Sequence, residues 1–141
     1  MNAQERLAAA EDHNPGCLAC GSRNPASLGF TVERWADGAL RATVALRDVH
    51  EGAAGRAHGG MLMTALDEGL GRLAYLELGG DCVTATMSVD FLRPGAPGQR
   101  PVVACEVVRR EGRKLWVSGD LRVGDEPIAR AEALFISTRR A

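Results

Sequence analysis

No stretch of the 141 residues is apolar over the roughly 18 positions that a membrane-spanning helix needs. The formal net charge is −1, so there is no excess of basic side chains to hold nucleic acid or an anionic membrane surface. Residues 1–13 carry several charges and have no apolar core of the kind found in secretory signal peptides. We therefore expect a cytoplasmic protein with neither a nucleic-acid nor a membrane partner.

Cysteine is scarce, with four residues at Cys17, Cys20, Cys82 and Cys105. In a chain without a secretory signal we expect all four to be reduced. Cys17 and Cys20 form a CxxC pair, but a structural zinc site needs four ligands and usually a second pair. Cys82 and Cys105 do not have that spacing, so we expect packed thiols, no metal and no cofactor.

The remaining composition, 45% hydrophobic and 25% charged, is typical of one globular domain. We assign residues 1–16 to an N-terminal tail or short helix and residues 17–141 to a single domain. Alternation predicts strands over 30–35 and 40–46 joined by a hairpin at Asp37-Gly38, and further strands over 83–92, 101–108, 115–123 and 128–137. With a helix over 60–78 between the two sets, the pattern predicts an α+β fold with a largely antiparallel sheet.

The predicted helix contains two glycines, Gly69 and Gly71, each costing about 1 kcal/mol relative to alanine. That cost suggests that another element packs closely against the helix backbone. A sheet wrapped around the helix would explain both positions.

One face of this helix could carry chemistry. Gly60, Thr64, Asp67 and Gly71 fall within about 60° of one another on a helical wheel. The N–H groups at the helix start favour negative charge, so they could stabilise an oxyanion on a carbonyl group. A carboxylate on the same face could activate water or attack directly.

The same residues permit simpler interpretations. His58 could be only a helix cap, and Asp67 only a solvated helix residue. Glu68 and Arg72 have the spacing of a surface ion pair, and Thr84 could belong to the wet face of a strand.

A family resemblance bears on these alternatives. The motif His58-Gly59-Gly60, followed by Asp67 nine residues after the histidine, resembles the HGG…D signature of PaaI-type hotdog acyl-CoA thioesterases, in the 4-hydroxybenzoyl-CoA thioesterase-like superfamily. The resemblance spans roughly residues 17–138, including CLACG at 17–21, DEGLG at 67–71 and DFLRP at 90–94. It implies a hotdog fold, in which one long central helix is wrapped by a largely antiparallel sheet. It also implies hydrolysis of an acyl-CoA or related acyl thioester to free acid and thiol.

The resemblance implies roles for five residues. Gly59, with Gly60, resembles the amide donor that polarises the thioester carbonyl, and His58 helps to set that turn. Asp67 resembles the general base or nucleophile, and Thr84 the hydroxyl residue that orients water. We expect Cys17 and Cys20 to be dispensable for this hydrolysis.

The sequence departs from the family pattern at Gly52, six residues before the histidine, where many members carry Asn or Gln. His50 or Glu51 could substitute for that side chain. Otherwise the oxyanion hole would depend on backbone amides alone.

Helix geometry adds an expectation about assembly. Asp67 lies roughly 10–12 Å beyond the donor glycines along the helix axis, whereas a reacting centre sits about 3 Å from both donor and base. We therefore expect a homodimer, or a dimer of dimers, with each site built from two chains. Two alternatives stay open: a non-catalytic acyl-CoA-sensing module, and a hotdog dehydratase or hydratase. The latter would need a histidine base, for which only His13, His50 and His58 are available.

Overall fold

The computed structural model describes residues 2–11 and 14–139, which include a short helix, a long helix and six strands. The helices are α1 (Ala3–Glu11) and α2 (Gly59–Leu78); the strands are β1 (Thr31–Ala36), β2 (Ala39–Thr43), β3 (Cys82–Phe91), β4 (Val102–Glu111), β5 (Lys114–Val123) and β6 (Glu126–Ser137). The predicted order of two strands, one long helix and four long strands is confirmed. Within these ranges, neither helix is both long and apolar enough to cross a membrane.

The strands form one antiparallel sheet in the order β1-β2-β4-β5-β6-β3. Helix α2 packs across this sheet and contacts β2 to β6. Its buried leucines meet the inward-facing side chains of the strands in one hydrophobic core. The predicted hairpin is present: Asp37 and Gly38 have φ values of 53° and 72°, as a two-residue type I′ turn requires.

The glycines inside α2 mark the places where the sheet lies closest to the helix. A Cβ atom on Gly69 would lie 2.5 Å from Val103 Cγ1 and 3.2 Å from Cys105 Sγ. A Cβ atom on Gly71 would lie 3.1 Å from the Phe135 ring. The prediction of a closely packed sheet is therefore confirmed, since side chains at either position would push β4 or β6 outward.

The ion pair between Glu68 and Arg72 exists, at 2.8 Å, but it is not a surface pair. The Arg72 side chain is only 5% exposed, and its guanidinium lies 5.2 Å from the centre of the Phe30 ring. The ion pair expected from the i,i+4 spacing is present, but the expectation that it lies at the surface is wrong. The ring of Phe30, just before β1, covers Arg72, and periodicity within the helix could not show that contact.

Arginines from three other segments cap the C-terminal end of α2. Their side chains donate hydrogen bonds to the last helix carbonyls, which lack partners within the helix. These contacts are Arg6 to Leu76 O, Arg110 to Glu77 O, and Arg139 to Leu78 O and Gly79 O. Positive charge here also complements the helix dipole, so this end of α2 is held firmly against the sheet.

Strand β3 lies at an edge of the sheet and contains a β-bulge. Thr84 pairs with Phe135 and Thr86 with Leu134, which leaves Ala85 as the extra residue. The bulge reverses the alternation. Before it, the even-numbered Thr84 faces α2. After it, the odd-numbered Met87 faces the same, inner side and packs against the core. Regular alternation over residues 83–92 would place Thr84 and Thr86 on one face, and the bulge makes that expectation wrong.

Candidate active site

Asp67 and Thr84 meet where α2 passes β3. The Thr84 hydroxyl donates a hydrogen bond of 2.8 Å to Asp67 Oδ1. Asp67 is half-buried, while Thr84 is exposed. The contact depends on the bulge at Ala85, because a regular strand would give Thr84 the orientation of Thr86.

A cavity of about 270 Å³ opens beside this pair. It is lined by Asp67, Glu68, Gly71, Arg72, Tyr75, Asp81, Cys82, Thr84 and Phe135. Gly71 thus leaves room on the predicted site face, whereas the Thr64 hydroxyl donates to Gly60 O within the helix. The cavity has carboxylate, hydroxyl and aromatic groups in its wall, a combination suited to holding a polar reacting group beside an apolar one.

The Cys82 thiol in this cavity is a poor nucleophile. Burial, followed by the nearby carboxylates of Asp81 and Asp67, raises its pKa to about 11. A thiol needs its thiolate form to attack a carbonyl, and a raised pKa depletes that form at neutral pH. Asp67 is therefore the stronger candidate for the reactive group.

The start of α2 is shaped by His58, its N-cap residue. His58 has extended backbone angles, φ −62° and ψ 132°, and its Nδ1 accepts a hydrogen bond of 2.8 Å from the Gly60 N–H. That contact occupies the Gly60 donor. The Gly59 N–H has no acceptor within the described part of the chain, so it remains available to a ligand.

His50 does not substitute for the family side chain absent at Gly52. It is 1% exposed, its Nδ1 accepts from the Arg47 N–H at 2.9 Å, and its Nε2 lies 2.8 Å from Ala26 O. Because Nδ1 is an acceptor, Nε2 carries the proton and donates to that carbonyl. Both ring nitrogens are therefore engaged in holding the loop before α2.

Glu51 is also engaged, since its carboxylate accepts a hydrogen bond from the Gly55 N–H. Gly52 itself lies against His58: a Cβ atom there would be 3.0 Å from His58 Cα and 3.2 Å from its Cβ. A larger residue at position 52 would therefore displace the histidine that caps α2.

The structure brings Asp67 and Thr84 together but does not bring them to the helix start. Gly59 and Asp67 are eight residues apart on α2, about 12 Å along its axis. None of residues 58–60 lines the cavity that contains Asp67. The two halves of the predicted site are separate within one chain.

Gly59 has an aromatic neighbour, Phe91, that was not among the predicted site residues. A Cβ atom on Gly59 would lie 3.6 Å from Phe91 Cε1, and the Phe91 side chain is 51% exposed. The DFLRP segment at 90–94 was its only signal in the sequence.

Comparison with known proteins agrees with this architecture. Residues 54–129, more than half of the chain, match the family model of the thioesterase superfamily. Over 88 residues the chain is 35% identical to acyl-coenzyme A thioesterase THEM4 of Xenopus laevis, an alignment covering 61% of this chain and 39% of that protein. The chain thus spans about two fifths of the length of this curated relative.

Two solved structures are similar over most of the chain. A thioesterase superfamily protein has a TM-score of 0.77 and 29% identity, covering 88% of this chain and 63% of that one. A phenylacetic acid degradation-related protein from Ralstonia eutropha JMP134 has a TM-score of 0.72 and 28% identity, covering 77% of this chain and 85% of that one. The predicted hotdog fold, with its antiparallel sheet and single long central helix, is confirmed, and the chain belongs to the thioesterase superfamily.

Proposed function

We propose that this protein hydrolyses an acyl-CoA, or a related acyl thioester, to a free acid and a thiol, as a member of the PaaI-type branch. The observation that carries the proposal is the hydrogen bond from Thr84 to Asp67 at the edge of an open cavity. Membership of the thioesterase superfamily and the likeness to an acyl-coenzyme A thioesterase support the reaction type and the substrate class.

In the proposed reaction, Asp67 acts as general base or as nucleophile. As a base, it removes a proton from water while the water oxygen attacks the thioester carbonyl carbon. The carbonyl oxygen becomes negatively charged, and the Gly59 N–H at the positive end of α2 stabilises it. The C–S bond then breaks, and the thiolate leaves with the proton that Asp67 took up. Thr84 keeps the carboxylate oriented and can accept a hydrogen bond from the attacking water.

We further propose that each site takes Gly59 from one chain and Asp67 from its partner in a homodimer, or in a dimer of dimers. Strand β3 supports this arrangement, because it lies at the sheet edge and its outer side has no strand partner in the described chain. Its side chains include apolar groups that are about half exposed, Val83 at 54% and Phe91 at 51%. An uncovered edge strand of ten residues without Lys or Pro is prone to pair with another chain.

The direction of such pairing places the two half-sites together. The start of β3 lies beside Asp67, through Thr84, and its end lies beside Gly59, through Phe91. Two copies of β3 that pair antiparallel across a two-fold axis set the start of one strand beside the end of the other. Each Asp67 would then approach the Gly59 of the partner chain.

The alternatives have less support. A dehydratase would need a histidine base. His50 has both ring nitrogens in hydrogen bonds and His58 caps α2, so neither is available, while His13 lies outside the described residues. A sensing module would bind acyl-CoA without turnover, so only an assay separates it from a hydrolase. The cytoplasmic location stays a prediction.

The direct test measures free thiol released from a panel of short, long and aromatic acyl-CoAs. Replacement of Asp67 by Asn should lower turnover by about 10²–10⁴-fold without unfolding the protein, because it removes the base and keeps the shape. Asp81→Asn is a matched control, since Asp81 lines the same cavity but the Thr84 hydroxyl donates to Asp67 instead. Near-normal turnover in folded Asp67→Asn protein would refute the assignment. Binding of acyl-CoA without thiol release would favour a sensing module.

A further inference from the structure

The N-terminal loop and helix α2 bring three metal-binding side chains together outside the cavity's reactive pair. The sulfurs of Cys17 and Cys20 and a carboxylate oxygen of Glu68 all lie within 4.8 Å of one another. All three residues are half-buried, and none of the four cysteines forms a disulfide in the described chain. The CxxC pair therefore has a companion ligand, contributed by a helix about fifty positions further along the chain.

The backbone of the loop holds the two cysteines in a tight turn. The Gly21 N–H donates to Cys17 O at 2.8 Å, and the Cys17 N–H donates to Asn14 O at 3.1 Å. A Cβ atom on Gly21 would lie 2.3 Å from Pro15 O and 2.5 Å from Cys17 N, so only glycine fits there. Main-chain contacts thus hold the backbone around both cysteines in one conformation.

Arg72 supplies the outer support that a ligating carboxylate usually has. Its guanidinium donates to Glu68 Oε1 at 2.8 Å, which orients the carboxylate beside the two cysteine sulfurs. Two thiolates and one carboxylate carry three negative charges. A divalent cation together with the Arg72 guanidinium would balance them, which removes the main electrostatic objection to a half-buried cluster.

We propose that Cys17, Cys20 and Glu68 bind a thiophilic divalent cation, with Zn²⁺ the best fit, and that water completes its coordination. Thiolate sulfur favours zinc over magnesium or calcium, and two sulfurs with one oxygen suit a tetrahedral ion. The expectation of no metal rested on a count of four protein ligands, of which the CxxC pair supplies two. Glu68 supplies a third candidate, and water would take the fourth position. A bound ion would fasten the loop to α2 at the residue next to Asp67.

The test measures zinc per chain by elemental analysis, in protein purified without chelators and again after zinc is added and dialysed. We expect about one equivalent in the wild-type protein and none in the Cys17→Ser/Cys20→Ser double variant. Cys82→Ser is the matched control, because it removes a thiol outside the cluster and should keep the metal. Glu68→Gln should weaken zinc affinity at least tenfold in competition with a chromogenic chelator.

Cobalt gives a second measurement on the wild-type protein, which does not depend on the variants folding. Added Co²⁺ should produce thiolate-to-metal charge-transfer absorption that saturates at one equivalent and is displaced by Zn²⁺. Absence of both zinc and this absorption would overturn the proposal. So would equal zinc retention in the double variant, or a Cys17–Cys20 disulfide found by mass spectrometry with no metal bound. None of these readouts requires thioesterase activity.

Discussion

Mixed dimers can decide where the two halves of the site reside. One inactive variant is Asp67→Asn. The other is Gly59→Pro, which deletes the proposed oxyanion donor itself. Position 59 is the first residue of α2, where proline is well tolerated, and the extended backbone of His58 suits a residue that precedes proline. Loss of one such donor should lower turnover by about 10²–10³-fold.

Gly59→Ala separates loss of the N–H from addition of a side chain. Its Cβ atom would lie 3.6 Å from the Phe91 ring, an ordinary contact, and its N–H is kept. We expect a much smaller loss of turnover for this variant than for Gly59→Pro. Equal losses would show that the added bulk, rather than the missing donor, inactivates the site.

The magnitude of recovery follows from the proposed arrangement. If each site combines Gly59 of one chain with Asp67 of the other, a mixed dimer has one doubly damaged site and one intact site. Random pairing of equal amounts makes about half of the dimers mixed, so about a quarter of wild-type activity should return. The assay is thiol release after the two variants, carrying different tags, are refolded together.

Two results would refute the reasoning. If both groups act within one chain, every site in a mixed dimer keeps one defect and no activity returns. Absence of recovery, with mixed dimers verified by native mass spectrometry, would therefore reject the shared site while leaving hydrolysis itself intact. A purely monomeric, active protein would reject it as well.

Three further predictions test individual contacts. Thr84→Ala should lower turnover only about tenfold, because solvent can partly replace an exposed hydroxyl; a loss as large as that of Asp67→Asn would contradict its orienting role. Gly69→Ala should lower the free energy of unfolding by about 1–2 kcal/mol, since its Cβ atom would meet Val103 at 2.5 Å. Chemical denaturation should show a smaller loss when Gly69→Ala is introduced into Val103→Ala protein, where the clashing methyl group is absent. The pKa of Cys82 is raised from 9.0 to about 11, so its thiol should be alkylated at pH 8 about 100-fold more slowly than an ordinary thiol. Peptide mapping measures the two rates, and equal rates would show that the Cys82 thiol is not held protonated.

Local patterns in the sequence were enough to predict the elements and their order. Hydrophobic periodicity placed α2 and the six strands within a few residues, because burial of one face leaves a regular spacing of apolar side chains. The Asp37-Gly38 turn was readable because few residues adopt positive φ at two successive positions. The glycines in α2 indicated close packing, and the position of Asp67 among small residues predicted the helix face on which the candidate site lies.

Contacts between distant segments were decided only by the tertiary structure. The bulge at Ala85 turns Thr84 toward Asp67, and it depends on the pairing of β3 with β6, which no pattern within β3 reveals. Burial of Arg72 depends on its packing against Phe30, a residue more than forty positions earlier in the chain.

The same limit applies to the side chains that meet at the N-terminal loop and to the N–H groups at the start of α2. Glu68 lies beside Cys17 and Cys20 because the fold brings together residues about fifty positions apart. Motif spacing compares only residues that are close in the chain, so it could not predict this contact. The His58 side chain accepts the hydrogen bond of the Gly60 N–H, which leaves the Gly59 N–H as the available donor. The sequence contains both glycines side by side, so only the side-chain geometry distinguishes them.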